Sequence, residues 1–280
     1  MQLYPIHAGN FKLDGGAMFG VVPKSIWNKL NPADDNNMCS WAMRCLLIED
    51  GDRLILIDNG MGNKQSEKFF SHYYLHGDES LEKSLAHYGF NKSDITDVVL
   101  THLHFDHCGG SVEYDSSKEN FKTAFPKAIF WSNEAHWNWA THPNAREKAS
   151  FLKENILPIQ ESGQLKFHQP GESIFPFMEL EYVYGHTESM MLPVIHYKGR
   201  KIMYMADLLP SAAHVPLPYV MAYDTRPLQT LEEKERLLKK CVEEQYVLFF
   251  EHDKDNECCT LMHTEKGIRP KHFFKLSDLG

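Results

Sequence analysis

The stretch that most constrains this chain runs over residues 101–110 and reads Thr-His-Leu-His-Phe-Asp-His-Cys-Gly-Gly. Within six consecutive positions it offers four candidate metal ligands, His102, His104, Asp106 and His107. An apolar, β-branched run over residues 97–100 precedes it and is too short for a helix. The stretch is therefore predicted to be the loop that leaves a buried strand. Imidazole and carboxylate donors together suit zinc or a similar first-row metal ion.

Two glycines, Gly109 and Gly110, close the stretch and are predicted to let the backbone bend tightly. Surface histidines in a polar turn are the alternative interpretation. A single His-x-His would support a metal site and surface histidines equally. Four donors between a strand and a glycine pair favour a metal site.

The order His-x-His-x-Asp-His after a short apolar strand resembles the motif of the metallo-β-lactamase superfamily. The resemblance implies two metal ions side by side, the first bound by His102 and His104 and the second by Asp106 and His107. It also implies one further histidine for each metal and an aspartate that bridges them, all at strand ends later in the chain.

Three later strand ends carry side chains of these types. Residues 179–184 lead into Gly-His-Thr, so the resemblance makes His186 the third ligand of the first metal. Residues 201–206 lead to Asp207, the expected bridging carboxylate, and residues 246–250 lead to His252 for the second metal. The Asp-Asn-Gly at Asp58 resembles the superfamily's Asp-Thr-Gly element. Asp58 is predicted to orient a ligand histidine, because metal-bound imidazoles usually donate their other N–H to a carboxylate or carbonyl.

The resemblance implies an α/β fold, the αβ/βα four-layer sandwich of the superfamily. A helical pattern over residues 79–88, followed by the motif strand, is compatible with this fold. A hairpin is predicted around Asp50-Gly51-Asp52, a helix over residues 231–241 and a helix over 145–155. Ser132 is predicted to cap a further helix that contains His136, which is expected to pack or face solvent, as is His142. Residues 1–280 are predicted to form a single domain.

The composition of the chain limits the kinds of partner that it is expected to bind. The chain carries a formal net charge of −9 without a Lys/Arg block, which disfavours nucleic acid because phosphate binding needs a positive surface. No stretch approaches the roughly 18 apolar residues of a membrane span, and no secretory signal is recognisable, so no membrane partner is expected. The six cysteines show no regular spacing and are expected to be free thiols in the cytoplasm.

The N-terminal region, residues 1–39, is predicted to include a long irregular loop with an apolar character that is unusual for a loop. It is a candidate substrate or dimer contact. Four of its side chains are predicted to line a pocket for an acyl chain, namely Met18, Phe19, Val22 and Trp27. The alternative is that they cap the core or meet a second subunit in a homodimer.

Two divalent metals sharing Asp207 would also share a water whose pKa falls to around neutral, giving a bridging hydroxide that attacks a carbonyl or phosphoryl centre. Zinc is the expected metal, although iron, manganese or cobalt suit the same donors. Two other classes of function are a di-iron redox protein and a non-catalytic binding module. The tail after His252 is too short for an electron-transfer module, and an intact ligand set argues against a mere binding module.

Finer features narrow the substrate. The Gly15-Gly16 segment, the complete metal motif and the Ala-Asp-Leu-Leu-Pro around Asp207 resemble the quorum-quenching N-acyl-homoserine lactonases and the related methyl-parathion-type hydrolases. This resemblance implies hydrolytic opening of the homoserine lactone ring, with an organophosphate or general ester hydrolase as the alternative. Many such lactonases have a tyrosine three residues after the bridging aspartate, where this chain has Pro210. The predicted catalytic residues are therefore Asp106 and Asp207, with His214 or Tyr223 as candidates to assist the substrate carbonyl.

Overall fold

The computed structural model describes residues 1–279. The chain divides into two compact units. Unit 1 comprises Met1–Asn10 and Met43–Glu172, and unit 2 comprises Phe11–Ala42 and the chain from Ser173 onwards. The single domain over residues 1–280 stays a prediction, and its last residue, Gly280, lies outside the described residues. Among residues 1–279, no helix is both long enough and apolar enough to cross a membrane.

The strands form two large sheets and one small hairpin. One large sheet has the order β1-β2-β3-β4-β7-β8, the other has the order β14-β13-β12-β11-β10-β9, and β5 pairs with β6. In chain order the strands are β1 (Gln2–Asp14), β2 (Met38–Asp50), β3 (Arg53–Ile57), β4 (Asp97–Val99), β5 (Val112–Tyr114), β6 (Phe121–Thr123), β7 (Ile129–Ser132), β8 (Leu165–Phe167), β9 (Met178–Val183), β10 (Met190–Tyr197), β11 (Arg200–Tyr204), β12 (Val247–Phe249), β13 (Cys258–Thr264) and β14 (Gly267–Phe274).

Most of the helices are short, and α8 is the long amphipathic one. Its buried face includes Leu237, Leu238 and Cys241. In chain order the helices are α1 (Gly15–Phe19), α2 (Lys24–Trp27), α3 (Glu67–Ser71), α4 (Leu81–His87), α5 (Phe105–Cys108), α6 (Glu134–Thr141), α7 (Lys153–Glu161) and α8 (Pro227–Glu243).

In unit 1, three parallel strands present the motif loop. Ile57 of β3 pairs with Val99 of β4, which in turn pairs with Trp131 of β7. All of β4 is buried, and its Val98 and the paired Phe130 of β7 belong to the apolar core of the unit. Because residues 101–108 follow the carboxyl end of this buried central strand, they start from a rigid base, as the sequence predicted.

In unit 2, three strands run in the same direction and end at the predicted ligands. β9 and β11 are each antiparallel to β10, and β11 is parallel to β12. His186, Asp207 and His252 each follow the carboxyl end of one of these strands within three residues. The strand ends therefore meet at one edge of the sheet.

The hairpin at Gly51 and the helix over residues 81–87 confirm two predictions. The predicted boundaries of two later helices and of the N-terminal loop were wrong. The cap of α6 is Asn133 rather than Ser132, because the Asn133 side chain accepts the N–H of His136. Residues 145–150 form turns, and the helix predicted over 145–155 begins only at Lys153. The prediction of a long irregular loop within residues 1–39 is partly wrong, because β1 continues to Asp14 and two short helices follow.

Candidate metal-binding residues

The first pair of predicted ligands in unit 1 has converging ring nitrogens. Nε2 of His102 and Nδ1 of His104 are 3.1 Å apart, and both side chains are buried. Two nitrogens on one tetrahedral zinc lie about 3.3 Å apart, given zinc–nitrogen distances of about 2.0–2.1 Å. The spacing therefore suits one metal ion bound through these two atoms. The other nitrogen of His102, Nδ1, lies 3.1 Å from the hydroxyl of Thr101.

The second pair in unit 1 is Asp106 and His107, on α5. A carboxylate oxygen of Asp106 lies 4.0 Å from Nε2 of His107. On the other side of the ring, Nδ1 of His107 lies 3.1 Å from Oδ2 of Asp58. The same Oδ2 accepts the hydroxyl of Thr101 at 2.6 Å, and Oδ1 accepts its N–H at 2.8 Å. Asp58 thus contacts His107 directly and His102 through Thr101, and its role in orienting a metal ligand stays a prediction.

The glycine pair after the motif has a different role from the predicted tight bend. Gly109 has helical backbone angles, with φ −61°. A Cβ on Gly109 would lie 2.2 Å from the carbonyl oxygen of Met61, and one on Gly110 would lie 2.3 Å from that of Asn59. These glycines allow the 59–61 backbone to pass directly against the motif. The tight-bend prediction is therefore corrected: close backbone approach requires glycine here.

In unit 2, Asp207 presents a separate oxygen to each of two histidines. Its Oδ2 lies 3.1 Å from Nε2 of His186, and its Oδ1 lies 3.1 Å from Nε2 of His252. All three side chains are buried. The two oxygens of Asp207 therefore face the two predicted ligand histidines, and its role as a bridging ligand stays a prediction.

Two groups fix the far nitrogens of these histidines, and sequence reasoning missed both. The buried Asp224 carboxylate lies 2.8 Å from Nδ1 of His186, and the carbonyl of Ala42 lies 2.7 Å from Nδ1 of His252. Burial opposes protonation of His186, but Asp207 and Asp224 outweigh it and raise its pKa to about 10. An aspartate 38 residues from its partner gives no local sequence signal.

His214, a candidate to assist the substrate carbonyl, is held by contacts within the protein. Nδ1 lies 2.9 Å from the Ser211 hydroxyl, Nε2 lies 2.9 Å from the Met18 carbonyl, and the ring stacks on Phe19 at 4.6 Å. Both nitrogens are therefore engaged within the protein. Burial lowers the pKa of His214 to about 3, so the ring is neutral at physiological pH. These contacts favour a packing and hydrogen-bonding role for His214, and its role in assisting the substrate carbonyl stays a prediction. Tyr223 is 39% exposed, and its role stays a prediction.

The four predicted pocket residues are buried in unit 2. Phe19 stacks between Trp27 and His214, and the exposed fraction is 1% for Met18 and Trp27 and 9% for Val22. These contacts match the alternative in which they cap the core, while their role as an acyl pocket stays a prediction. Their neighbour Val21 is 92% exposed.

Cys108 and His136 have structural positions, and for His136 packing was one of the two positions expected from the sequence. Cys108 is buried and donates to the carbonyl of Leu103 at 3.3 Å, and burial raises the pKa of its thiol to about 12. Nε2 of the buried His136 accepts the N–H of Leu103 at 2.8 Å. Both residues therefore support the loop between the first two ligand histidines.

The donor sets fit divalent metal ions. Each unit holds buried imidazole nitrogens that face another donor atom at close range, while their second nitrogens face a carboxylate, hydroxyl or carbonyl. Mixed nitrogen and oxygen donors of this kind suit zinc, iron, manganese or cobalt. The identity of the metal does not follow from the donors.

Residues 44–243 match the family model described as the metallo-beta-lactamase superfamily. The chain belongs to this superfamily. The match includes every predicted metal ligand except His252. As a superfamily member, the chain is a metal-dependent hydrolase with His/Asp sets suited to metal binding, and the predicted α/β metallo-β-lactamase fold is confirmed.

Three known proteins are similar to this chain in sequence or in structure. An N-acyl homoserine lactonase of Bacillus cereus is 23% identical over 269 residues, which cover 91% of this chain and 94% of that protein. A probable metal-dependent hydrolase from Staphylococcus aureus has a similar structure, with TM-score 0.88, 29% identity and coverage of 98% and 96%. A dizinc quorum-quenching lactonase, AidC, in complex with a product N-hexanoyl-homoserine, has TM-score 0.77 at 22% identity, with coverage of 98% and 95%. That last likeness shows the fold alone.

Proposed function

We propose that this superfamily member opens the lactone ring of N-acyl-homoserine lactones by hydrolysis, as a quorum-quenching enzyme. In this proposal the ligand set predicted from the sequence holds two divalent metal ions, zinc by preference. The first metal takes His102, His104 and His186, the second takes Asp106, His107 and His252, and Asp207 bridges them. The observation that carries the proposal is the position of Asp207, which offers a different oxygen to His186 and to His252 at 3.1 Å each.

The hydrogen-bond partners support the required protonation states. A neutral imidazole binds a metal through the nitrogen that carries no hydrogen, and the other N–H needs an acceptor. Asp58, Asp224 and the Ala42 carbonyl each lie at Nδ1 of a ligand histidine, at 2.7–3.1 Å. They hold the hydrogen on Nδ1 of His107, His186 and His252, so Nε2 is left to bind metal.

The chemistry of the bound metals would be to lower the pKa of a water towards neutral and to polarise the substrate carbonyl. The protein residues would supply the geometry: Asp106 and Asp207 hold fixed carboxylate oxygens, and the buried strand ends keep the donors in place. A thiol nucleophile is disfavoured, because the thiol of Cys108 is protonated and buried. Tyr223 remains our candidate to assist the substrate carbonyl, and a Tyr223→Phe variant would reduce kcat if its hydroxyl takes part.

The substrate class rests on the similar proteins. The Bacillus cereus relative is named an N-acyl homoserine lactonase, and the alignment covers nine-tenths of both chains. Met18, Phe19, Val22 and Trp27 are proposed to receive the acyl chain after local opening of the segment that carries them. A homodimer through this N-terminal region and a cytoplasmic location are part of the same proposal. All six cysteines are free thiols, which supports a reducing compartment.

The test combines metal analysis with substrate hydrolysis. The purified protein is assayed for bound metal and for proton release from N-acyl-homoserine lactones of short and long acyl chain, with a phosphotriester in parallel. His104→Ala is the inactive variant, and His142→Ala, which changes an exposed histidine, is its matched control.

We expect about two metals per chain and lactone turnover that His104→Ala loses and His142→Ala keeps. Faster turnover of long acyl chains would support the apolar pocket. Two metals with turnover of the phosphotriester alone would replace the lactonase assignment by an organophosphate hydrolase. Absence of bound metal after purification and after zinc addition would contradict the proposal as a whole.

A further inference from the structure

One acidic side chain of unit 1 lies against the second histidine of the motif. Oε1 of Glu147 is 3.5 Å from Nε2 of His104, and the two side chains are only 3% and 9% exposed. Glu147 belongs to the turns between α6 and α7, a segment with no metal motif of its own. A carboxylate that is buried this deeply needs a hydrogen-bonding or charged partner.

Neighbouring residues fix the orientation of the Glu147 carboxylate. Its other oxygen, Oε2, accepts the indole N–H of Trp139 at 2.7 Å and the side-chain amide of Asn144 at 2.5 Å. The backbone N–H of Glu147 donates to Oδ1 of Asn144 at 3.1 Å. These contacts occupy Oε2 and direct Oε1 towards His104.

The same segment is attached to the motif at two more points. The N–H of Phe105, which follows His104 directly, donates to the carbonyl of Ser150 at 3.0 Å. The ring of Phe151 lies 4.7 Å from the ring of His104. The turns that carry Glu147 are therefore packed against the His104 side of the loop. These contacts fix the distance and orientation between the Glu147 carboxylate and the His104 imidazole.

The two nitrogens of His104 face different groups. Nδ1 faces Nε2 of His102 at 3.1 Å, which is the side predicted to bind metal, and Nε2 faces Glu147. This is the reverse of the other ligand histidines, which direct Nε2 to the metal side. His104 therefore needs its hydrogen-bond acceptor at Nε2 rather than at Nδ1.

We propose that Glu147 is a positioning residue for His104: its carboxylate accepts the Nε2 hydrogen, so that Nδ1 stays unprotonated and directed at the first metal. The negative charge also makes the imidazole a more basic ligand. This inference rests on the proposed dinuclear site and assigns one further residue to it.

Metal affinity tests the proposal without an activity assay. Zinc binding is measured by competition with a chromogenic chelator for the wild type and for three variants, Glu147→Leu, Glu147→Gln and the control Glu134→Gln, which changes an exposed glutamate on α6. Removal of such a partner typically weakens metal binding about 10–100-fold, and we expect this for Glu147→Leu. Glu147→Gln keeps an acceptor oxygen but loses the charge, so we expect a smaller weakening of several-fold. Glu134→Gln makes the same carboxylate-to-amide change at an exposed position and should bind zinc almost as the wild type does.

A spectroscopic signature separates positioning from general structural damage. The visible absorption of the cobalt-substituted protein reports the ligand geometry, and we expect it to change in Glu147→Gln but not in Glu134→Gln. If Glu147→Leu does not fold, Glu147→Gln decides the question alone. Wild-type affinity together with a wild-type cobalt spectrum in Glu147→Gln would overturn the proposal.

The outcomes for the two proposals remain distinguishable. A wild type that binds two metals but leaves lactones intact contradicts the lactonase assignment, while the Glu147 comparison can still succeed or fail. A wild type that binds no metal contradicts both proposals. Tight binding of two metals by the wild type and equally by Glu147→Leu contradicts the Glu147 proposal alone.

Discussion

The carboxylate of Asp224 lies 2.8 Å from Nδ1 of His186, and both side chains are buried. On the other side of the ring, Nε2 of His186 faces Asp207 at 3.1 Å. The imidazole is thus held between two carboxylates, one of which is a predicted metal ligand. Asp224 therefore accepts the Nδ1 hydrogen of His186 and fixes the ring on the side away from Asp207.

Replacement of Asp224 by Ala should weaken metal binding about 10–100-fold, because the His186 ring loses the acceptor that fixes its orientation. Asp224→Asn is the matched control, since its amide oxygen can still accept the Nδ1 hydrogen, and it should weaken binding less. Both are measured by zinc titration against a chelator. Equal zinc affinity for Asp224→Ala and the wild type would contradict this role.

The sequence pointed to the candidate ligands but not to most of the residues that contact their second ring nitrogens. His186, Asp207 and His252 each follow an apolar run that forms a strand, so a short local pattern located them. Asp224 lies 38 residues from His186, and Glu147 lies in turns between two helices, so their roles depend on which segments the fold brings together. Asp58 was found only because its own tripeptide resembles a superfamily element.

The N-terminal segment shows why a loop prediction failed. Glycine pairs usually indicate loops, yet Gly15 begins α1, and a Cβ there would lie 2.3 Å from the ring of Trp27. Asp14 caps this helix by accepting the N–H of Ala17 at 2.8 Å. The need for glycine comes from a tertiary contact with a tryptophan twelve residues later in the sequence, which local propensity does not report.

Gly109→Ala should destabilise the protein by about 1–3 kcal/mol, the usual cost of forcing extra atoms into a packed site. The new Cβ would lie 2.2 Å from the carbonyl oxygen of Met61, so the backbone behind the motif must move. Zinc affinity should fall as well, because the N–H of Asn59 is hydrogen-bonded to the carbonyl of His107 at 2.9 Å.

Urea denaturation and zinc titration check the Gly109 prediction. Gly163→Ala is the control, because its Cβ would meet open space even though φ is +76°. It should lose some stability through backbone strain but bind zinc normally. Normal zinc binding by Gly109→Ala would indicate that the motif tolerates displacement of the 59–61 backbone.

Glu181 should make stability depend on pH in the acid range. Burial tends to raise its pKa, but hydrogen bonds and charge from Lys240 and Arg236 outweigh burial and lower the pKa below its ordinary value of 4.5. A group with a lowered folded-state pKa stabilises the protein above its unfolded pKa, and this contribution is lost as pH falls through the folded pKa.

Glu181→Gln should therefore reduce the free energy of unfolding at pH 7 by up to about 1 kcal/mol, since the pairs are partly exposed. The difference from the wild type should shrink as the pH is lowered below the ordinary glutamate pKa. Urea denaturation at several pH values measures it, with Glu232→Gln, an exposed site on α8, as the control. A difference that does not vary with pH would contradict the assignment.

Lys234 is fully buried on α8, and its ammonium donates to four backbone carbonyls, those of His214, Pro216, Leu217 and Tyr219, at 2.7–3.2 Å. These carbonyls belong to the loop between Asp207 and Asp224. Lys234→Met should cost at least about 3 kcal/mol of unfolding free energy, because several buried acceptors lose their donor at once. Lys239→Met, at an exposed position on the same helix, should change stability by less than about 0.5 kcal/mol. Urea denaturation of both variants checks the difference, and similar stabilities would mean that water replaces the ammonium within the loop.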